Sequence, residues 1–226
     1  MLIETMNDEQ VSLEVFRDWA VITSSSTFER IGNEYDKLRR KNKVDKCAPF
    51  FKYYTIKTAQ KNNWMFLLRK DNSDEKYGGL KSISILSFTH YYTSIGLRVL
   101  KIMTSGGLSV FNGHVFQRYN ERMKLNIILP LDIVKHFFIQ NGFLTSRIIP
   151  KGNREFIVGT CIDGMLLGEI TNDSYWIVYK TFLNRELLRP EQQEEEVDIF
   201  RSLQEEVAEA MKRQNFKGGI SLTGDK

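Results

Sequence analysis

Apolar side chains recur every three to four residues in two sets near the start of the chain. Val11, Val15, Phe16, Trp19 and Ala20 make the first, and Phe28, Ile31, Tyr35 and Leu38 the second. That is the helical period, so residues 8–41 read as one or two helices. The polar break TSSST at 23–27 offers a fresh N-cap, with Glu29 or Glu34 in the turns that follow. The basic run 37–43 closes the unit at the carbonyl end, where cations are favoured.

From Phe50 the pattern shortens to that of strands. FFKYYTIKT and WMFLLRK are rich in aromatic and β-branched residues and are joined by the polar turn AQKNN. After a polar loop at 71–80, the stretch SISILSFTHYYTSIGLRVLKIM holds two more strands around a turn near residues 93–96. LSVF is a short strand that runs straight into a helical stretch beginning at Asn112, a good N-cap. Pro130 opens a second helix there, closed by Gly142. Downstream, Asp163-Gly164 and Asn172-Asp173 separate three strand-like runs, which predicts a three-stranded antiparallel meander. Pro190 ends it. Residues 191–214 then place Val197, Phe200, Leu203, Val207, Ala210 and Met211 on one helical stripe, ahead of a loose tail.

These elements predict an α+β fold. An antiparallel sheet spans 50–112 and 154–183, with N-terminal helices and a long C-terminal helix packed on one face. Short connections argue for a single α+β domain over 1–190, with an acidic amphipathic helix and tail over 191–226.

Composition sharpens this. The chain has 226 residues, enough to bury a sizeable core, and no run of 18 apolar residues, so no membrane span is expected. The acidic start MLIETMNDEQ lacks a secretory pattern. Cys47 and Cys161 have neither CxxC spacing nor a histidine nearby, so two reduced thiols and a cytoplasmic location are expected, with no metal and no cofactor. The net charge of +4 is unevenly spread. Residues 37–81 carry 13 Lys/Arg against 4 Asp/Glu, and residues 98–154 carry 9 against 2. Residues 191–214 carry 3 against 8. A basic middle between acidic ends suits a phosphate-bearing partner, while a solvated charged surface explains it equally.

The sharpest chemistry lies in FNGHVFQRYNERMKL. With His114 at 0° on a helical wheel, Arg118 falls near 40° and Arg122 near 80°, bordering the apolar positions Val115, Phe116, Tyr119 and Met123. The imidazole then lies in the first helical turn, and histidine is the usual general base. The two guanidinium forks suit phosphate oxygens. Together the three fit a site that binds a phosphodiester, deprotonates a ribose 2′-hydroxyl and stabilises the anionic transition state without a metal. The competing reading makes His114 a boundary residue and pairs the arginines with Glu121 or another carboxylate.

The segment GHVFQRYNERM, followed by a helix ending in glycine and by FIVGTCIDGMLLGEI and WIVYKTF, resembles RelE/EndoU-like bacterial toxin ribonucleases over roughly residues 98–185. That resemblance implies a metal-independent endoribonuclease with a His-x-x-x-Arg-x-x-x-Arg helix packed on an antiparallel sheet. It carries over to His114, Arg118 and Arg122 on the helix, and it implies that Lys180 or Thr181 on the last strand faces them. RNA is the expected partner.

Other residues receive blander readings. His90 and His136 read as an ordinary strand and an ordinary helix residue. Tyr53, Tyr54, Tyr91 and Tyr92 suit base stacking but read equally as sheet packing. P-loop, GxGxxG, HExxH and GxSxG motifs are absent, which removes support for nucleotide-triphosphate, dinucleotide, zinc-protease and α/β-hydrolase chemistry. A DNA-binding regulator lacks a helix-turn-helix. The rival class is a non-catalytic interaction protein, with a homo-oligomer contact or a protein partner docked through residues 191–214.

Overall fold

The computed structural model describes residues 1–42, 50–70, 83–103, 106–142, 144–151, 154–171 and 176–188. Two helices come first, α1 (Asp8–Thr23) and α2 (Ser26–Asn42). Asn7 caps α1 reciprocally with Gln10, its Oδ1 accepting from Gln10 N at 2.9 Å. The break between the helices is Ser24 and Ser25, and the Ser25 hydroxyl accepts from Phe28 N at 3.2 Å.

Five strands follow: β1 (Phe50–Lys57), β2 (Asn63–Lys70), β3 (Ile83–Thr93), β4 (Gly96–Ile102) and β5 (Leu108–Phe111). Then come α3 (Gly113–Arg122), α4 (Pro130–Gln140), and β6 (Thr145–Lys151), β7 (Arg154–Cys161), β8 (Gly164–Thr171) and β9 (Trp176–Asn184). A 3-10 turn, Arg185–Leu187, precedes the last described residue, Leu188.

All nine strands join one sheet in the order β1-β2-β3-β4-β5-β9-β8-β7-β6. Every neighbouring pair is antiparallel except β5 and β9, which run parallel from Leu108↔Trp176 to Phe111↔Tyr179. The expected fold class is corrected on two points. The sheet is mixed, because β9 returns beside β5 after α3, α4 and the β6–β8 hairpins and so enters in the same direction. Helices cover both faces and not one. The described chain closes on the 3-10 turn, and the expected long C-terminal helix over residues 191–214 lies outside the described residues. Strand β6 is an addition to the expected meander. Its sequence TSRIIPK carries Pro150, which a sheet tolerates at an edge, and β6 is the edge strand.

The sheet separates two cores. On one face Val11, Val15 and Ile22 of α1 and Phe28 and Ile31 of α2 pack on Trp64, Phe66, Leu100, Val110 and Val178. On the other, Val115, Phe116 and Tyr119 of α3 and Ile133, Val134, Phe137 and Phe138 of α4 pack on Leu67, Phe88, Val99, Phe111, Ile157 and Tyr179. Both flanks of the sheet reach α4. The Tyr53 hydroxyl of β1 donates to Lys135 O at 3.2 Å, and Asn141 Nδ2, just past α4, donates to Asp163 Oδ2 at 2.9 Å. A flat sheet would hold β1 and the β7–β8 turn roughly 30 Å apart at about 4.8 Å per strand. Lys135 and Asn141 are only about 9 Å apart along a helix rising 1.5 Å per residue. The sheet therefore curls around α3 and α4.

Glycines floor the inner side of one flank. A Cβ on Gly159 would sit 2.9 Å from the Tyr179 ring, and one on Gly168 would sit 2.2 Å from Val178 O. The Tyr179 ring lies over this floor, and its hydroxyl reaches Ser146 on β6. Burial pushes its phenol up to about 12. Among the described residues no helix is long and apolar enough to cross a membrane.

Candidate functional site

Helix α3 is set by the strand before it and by a turn beside it. Phe111 ends β5 against Tyr179, and Asn112 N continues the contact by donating to Tyr179 O at 3.1 Å. Asn112 is the N-cap as expected, although its side chain makes no capping bond. A Cβ on Gly113 would lie 2.9 Å from Ile95 O in the β3–β4 turn, so only glycine lets the helix begin this close.

Val115, Phe116 and Tyr119 turn inward, while His114, Gln117 and Glu121 are exposed. Arg118 and Arg122 are half-buried between them. Arg118 Nε donates to His114 Nε2 at 3.2 Å, an arrangement in which that ring nitrogen carries no proton. The same guanidinium donates through Nη1 to Glu121 Oε2 at 2.9 Å. His114, Arg118 and Glu121 thus form one linked trio on the solvent side of α3.

Arg122 turns the other way. Its Nη1 donates to Phe182 O. The β5 ladder stops at Tyr179, so the following carbonyls of β9 have no strand neighbour on that side. The guanidinium fills one of those vacancies, which gives it a structural task besides any contact with a ligand.

The structure does not bring Lys180 and Thr181 to this surface. The ladder steps from Leu167↔Thr181 to Gly168↔Tyr179, leaving Lys180 as the extra residue of a bulge. Lys180 Nζ pairs with Glu169 Oε2 at 2.5 Å. Glu169 stands opposite Val178, whose side chain belongs to the α1/α2 core, so this ion pair lies on that face of the sheet. Thr181 stands opposite Leu167, also on that face. The bulge reverses the alternation that places Phe182 against α3, and no sequence pattern announced it.

The other candidates are placed as follows. Tyr119 donates to Asp163 Oδ2 at 2.8 Å, and its oxygen lies 3.1 Å from His136 Nδ1. Asn141 joins both Asp163 Oδ2 and the Asp163 amide at 2.9 Å. Burial, then the charge of Asp163 and the hydrogen bond to it, push the Tyr119 phenol far above its ordinary value. This network links α3, α4 and the β7–β8 turn. Sequence reasoning passed over it because its members stand 17, 22 and 44 residues apart. Asp163 was visible only as half of an Asp-Gly turn.

His90 is held below the ordinary histidine value by burial and then by Lys135. Of the four tyrosines, Tyr53 bonds Lys135 O, Tyr54 bonds Glu34, and Tyr91 accepts from Arg98 Nη1 at 3.0 Å. Only Tyr92 among them is exposed. Cys161 is buried, its thiol donating to Gly164 O at 3.2 Å, and Cys47 lies outside the described residues. Among the described residues no group of three or more His, Cys, Asp or Glu side chains is arranged to hold a metal ion.

No family model, curated protein or solved structure matches the chain.

Proposed function

We propose that the protein binds RNA through the outer surface of α3, with Arg118 contacting phosphate and His114 available as the base of a metal-independent cleavage. The observation that carries this reading is the His114–Arg118 pair. An exposed imidazole holds an unprotonated nitrogen against a guanidinium that shares the surface with it. A phosphate oxygen entering there can replace Glu121 on the fork and free the imidazole for a 2′-hydroxyl. The resemblance to RelE/EndoU-like ribonucleases in residues 98–185 supports the same assignment. Lys180 and Thr181, paired on the other face, are left out of it.

One observation favours a non-catalytic version. Both arginines already have protein partners, Glu121 for Arg118 and Phe182 O for Arg122, as a structural helix surface would. Titrating single-stranded RNA at several salt concentrations decides between them. Arg118→Ala is expected to weaken binding and to flatten the salt slope by about one phosphate contact. His114→Ala is expected to keep binding and to lower cleavage by roughly 10²-fold in the presence of EDTA. Binding without cleavage in the unmodified protein leaves the non-catalytic version, and salt-insensitive or absent binding sinks both.

A further inference from the structure

A lysine is unusual on the inner side of a curled sheet, and β4 carries one there. Val99 and Phe111 form a pair that belongs to the α3/α4 core, and the next pair, Leu100↔Val110, belongs to the α1/α2 core. Lys101↔Ser109 follows in unbroken register, so both side chains return to the α3/α4 side. On its other flank Ser109 pairs with Ile177, which packs against the same core. Ser109 is only 6% exposed, and Lys101 is half-buried.

Aromatic rings enclose the pair. The Phe138 ring of α4 lies 4.8 Å from that of Phe88 on β3 and 5.5 Å from that of Phe111 on β5. Strand β4 runs between those two strands, so the ring lies across its inner side. The β3–β4 ladder ends at Thr89↔Leu100, one residue before Lys101. Lys101 therefore stands where two strands cease to pair, its stem enclosed and part of its surface open to solvent. Among the described residues neither Lys101 nor Ser109 has a hydrogen-bond or ion-pair partner. Burial pulls the Lys101 amine below its ordinary value. An ammonium without a carboxylate sheds its proton more readily there, and the neutral amine is a nucleophile.

We propose that Lys101 condenses with the carbonyl group of a neutral, apolar aldehyde or ketone, while the Ser109 hydroxyl across the ladder donates to the carbonyl oxygen. The Nζ lone pair bonds to the carbonyl carbon, and the π pair moves to oxygen, which gains a proton as Nζ loses one. The hydroxyl of this carbinolamine then leaves as water with the second nitrogen proton, and the nitrogen pair closes the C=N bond. Amine and carbonyl give imine and water, and nothing is oxidised or reduced. The rings of Phe88, Phe111 and Phe138 suit an apolar body on the ligand. The inference does not depend on RNA binding.

Trapping tests it directly. The full chain is incubated with benzaldehyde and cyanoborohydride at neutral pH, and the benzylated lysines are located and timed by peptide mass spectrometry. Lys101 is expected to react roughly tenfold faster than the other lysines in the folded protein, and no faster than they do in concentrated urea. Ser109→Ala is expected to slow Lys101 roughly fivefold, the worth of one hydrogen bond, and to leave the other lysines and the melting temperature unchanged. Labelling of Lys101 at the rate of the other lysines in the folded protein overturns the inference. So does a preference for Lys101 that is stronger with glyoxylate than with benzaldehyde, because the site then selects an anion. An unchanged Lys101 rate in Ser109→Ala removes the serine from the proposal.

Discussion

Helices α1 and α3 lie on opposite faces of one sheet and both bury an apolar stripe, but only α1 buries carboxylates beside it. α3 turns Val115, Phe116 and Tyr119 inward and leaves His114, Gln117 and Glu121 to solvent. α1 turns Glu14 and Asp18 inward with its valines and leaves Leu13, Phe16 and Val21 outside. Asp18 is held by donors from the β1–β2 turn and the start of β2. Asp18 Oδ2 accepts from Asn62 Nδ2 at 2.7 Å, Trp64 Nε1 at 3.1 Å and Thr58 Oγ1 at 3.2 Å. Polarity therefore orients a helix only when its partner is apolar. Where the partner offers hydrogen-bond donors, a carboxylate can face inward and the apolar side chains are released for another contact.

The comparison can be broken first at Tyr119. Its ring packs edge-on against Phe137 and Phe182, with centroids 5.0 and 5.1 Å away. Tyr119→Ala is expected to cost about 3–5 kcal/mol, the usual loss for an aromatic in a well-packed core, measured by urea unfolding. Asp18→Ala comes next. It strands the buried Trp64 indole N–H, and a loss of about 1–3 kcal/mol is expected. If Asp18→Ala proves neutral, the inward carboxylate is incidental and α1 has no donor-held face.

A pH series gives a smaller effect on the α3/α4 side. His90 has a lowered folded value, caused by burial and then Lys135, so the folded state binds its proton less readily than the unfolded chain. Its contribution is intact above the ordinary value of 6.5 and is lost as pH falls through 6.5 towards the lower folded value. Melts at pH 7 and pH 5 should therefore differ less in His90→Gln than in the unmodified protein. The smallest effect belongs to the outer surface of α3. Arg118→Ala should change stability by no more than about 0.5 kcal/mol, because its ion pair with Glu121 is solvent-exposed, even if it abolishes RNA binding. A large stability loss there would mark Arg118 as structural.

Local signals carried most of the element positions. The helical periods at 8–41, the Asn112 and Pro130 starts, and the Asp163-Gly164 turn all correspond to elements of the structure, since each is decided within a few residues. The parallel β5–β9 pairing was not legible. Leu108 and Trp176 are far apart in sequence, and no local rule distinguishes a meander that stands alone from one that returns to a central strand. The same limit hid the second helical layer. A strand pattern tells which residues share a face, but not which helices arrive to cover it. At the candidate site, the wheel placed His114 and Arg118 on one surface, and the structure joins them by a hydrogen bond. It could not foresee that Arg122 would be drawn to an open carbonyl of β9, or that a bulge would face Lys180 away.

The single parallel ladder also dictates an order of assembly. Strands β1 to β5 form by successive hairpins, as do β6 to β9, so each half of the sheet can arise from contacts between neighbours in sequence. Joining the halves requires β9 to find the open edge of β5 across two helices and three strands, a loop closure that local pairing cannot shorten. That docking is the natural rate-limiting step, and until it occurs β5 offers an unpaired apolar edge. Leu108, Val110 and Phe111, fully buried once the sheet is closed, are therefore the residues through which a slowly folding chain would first aggregate.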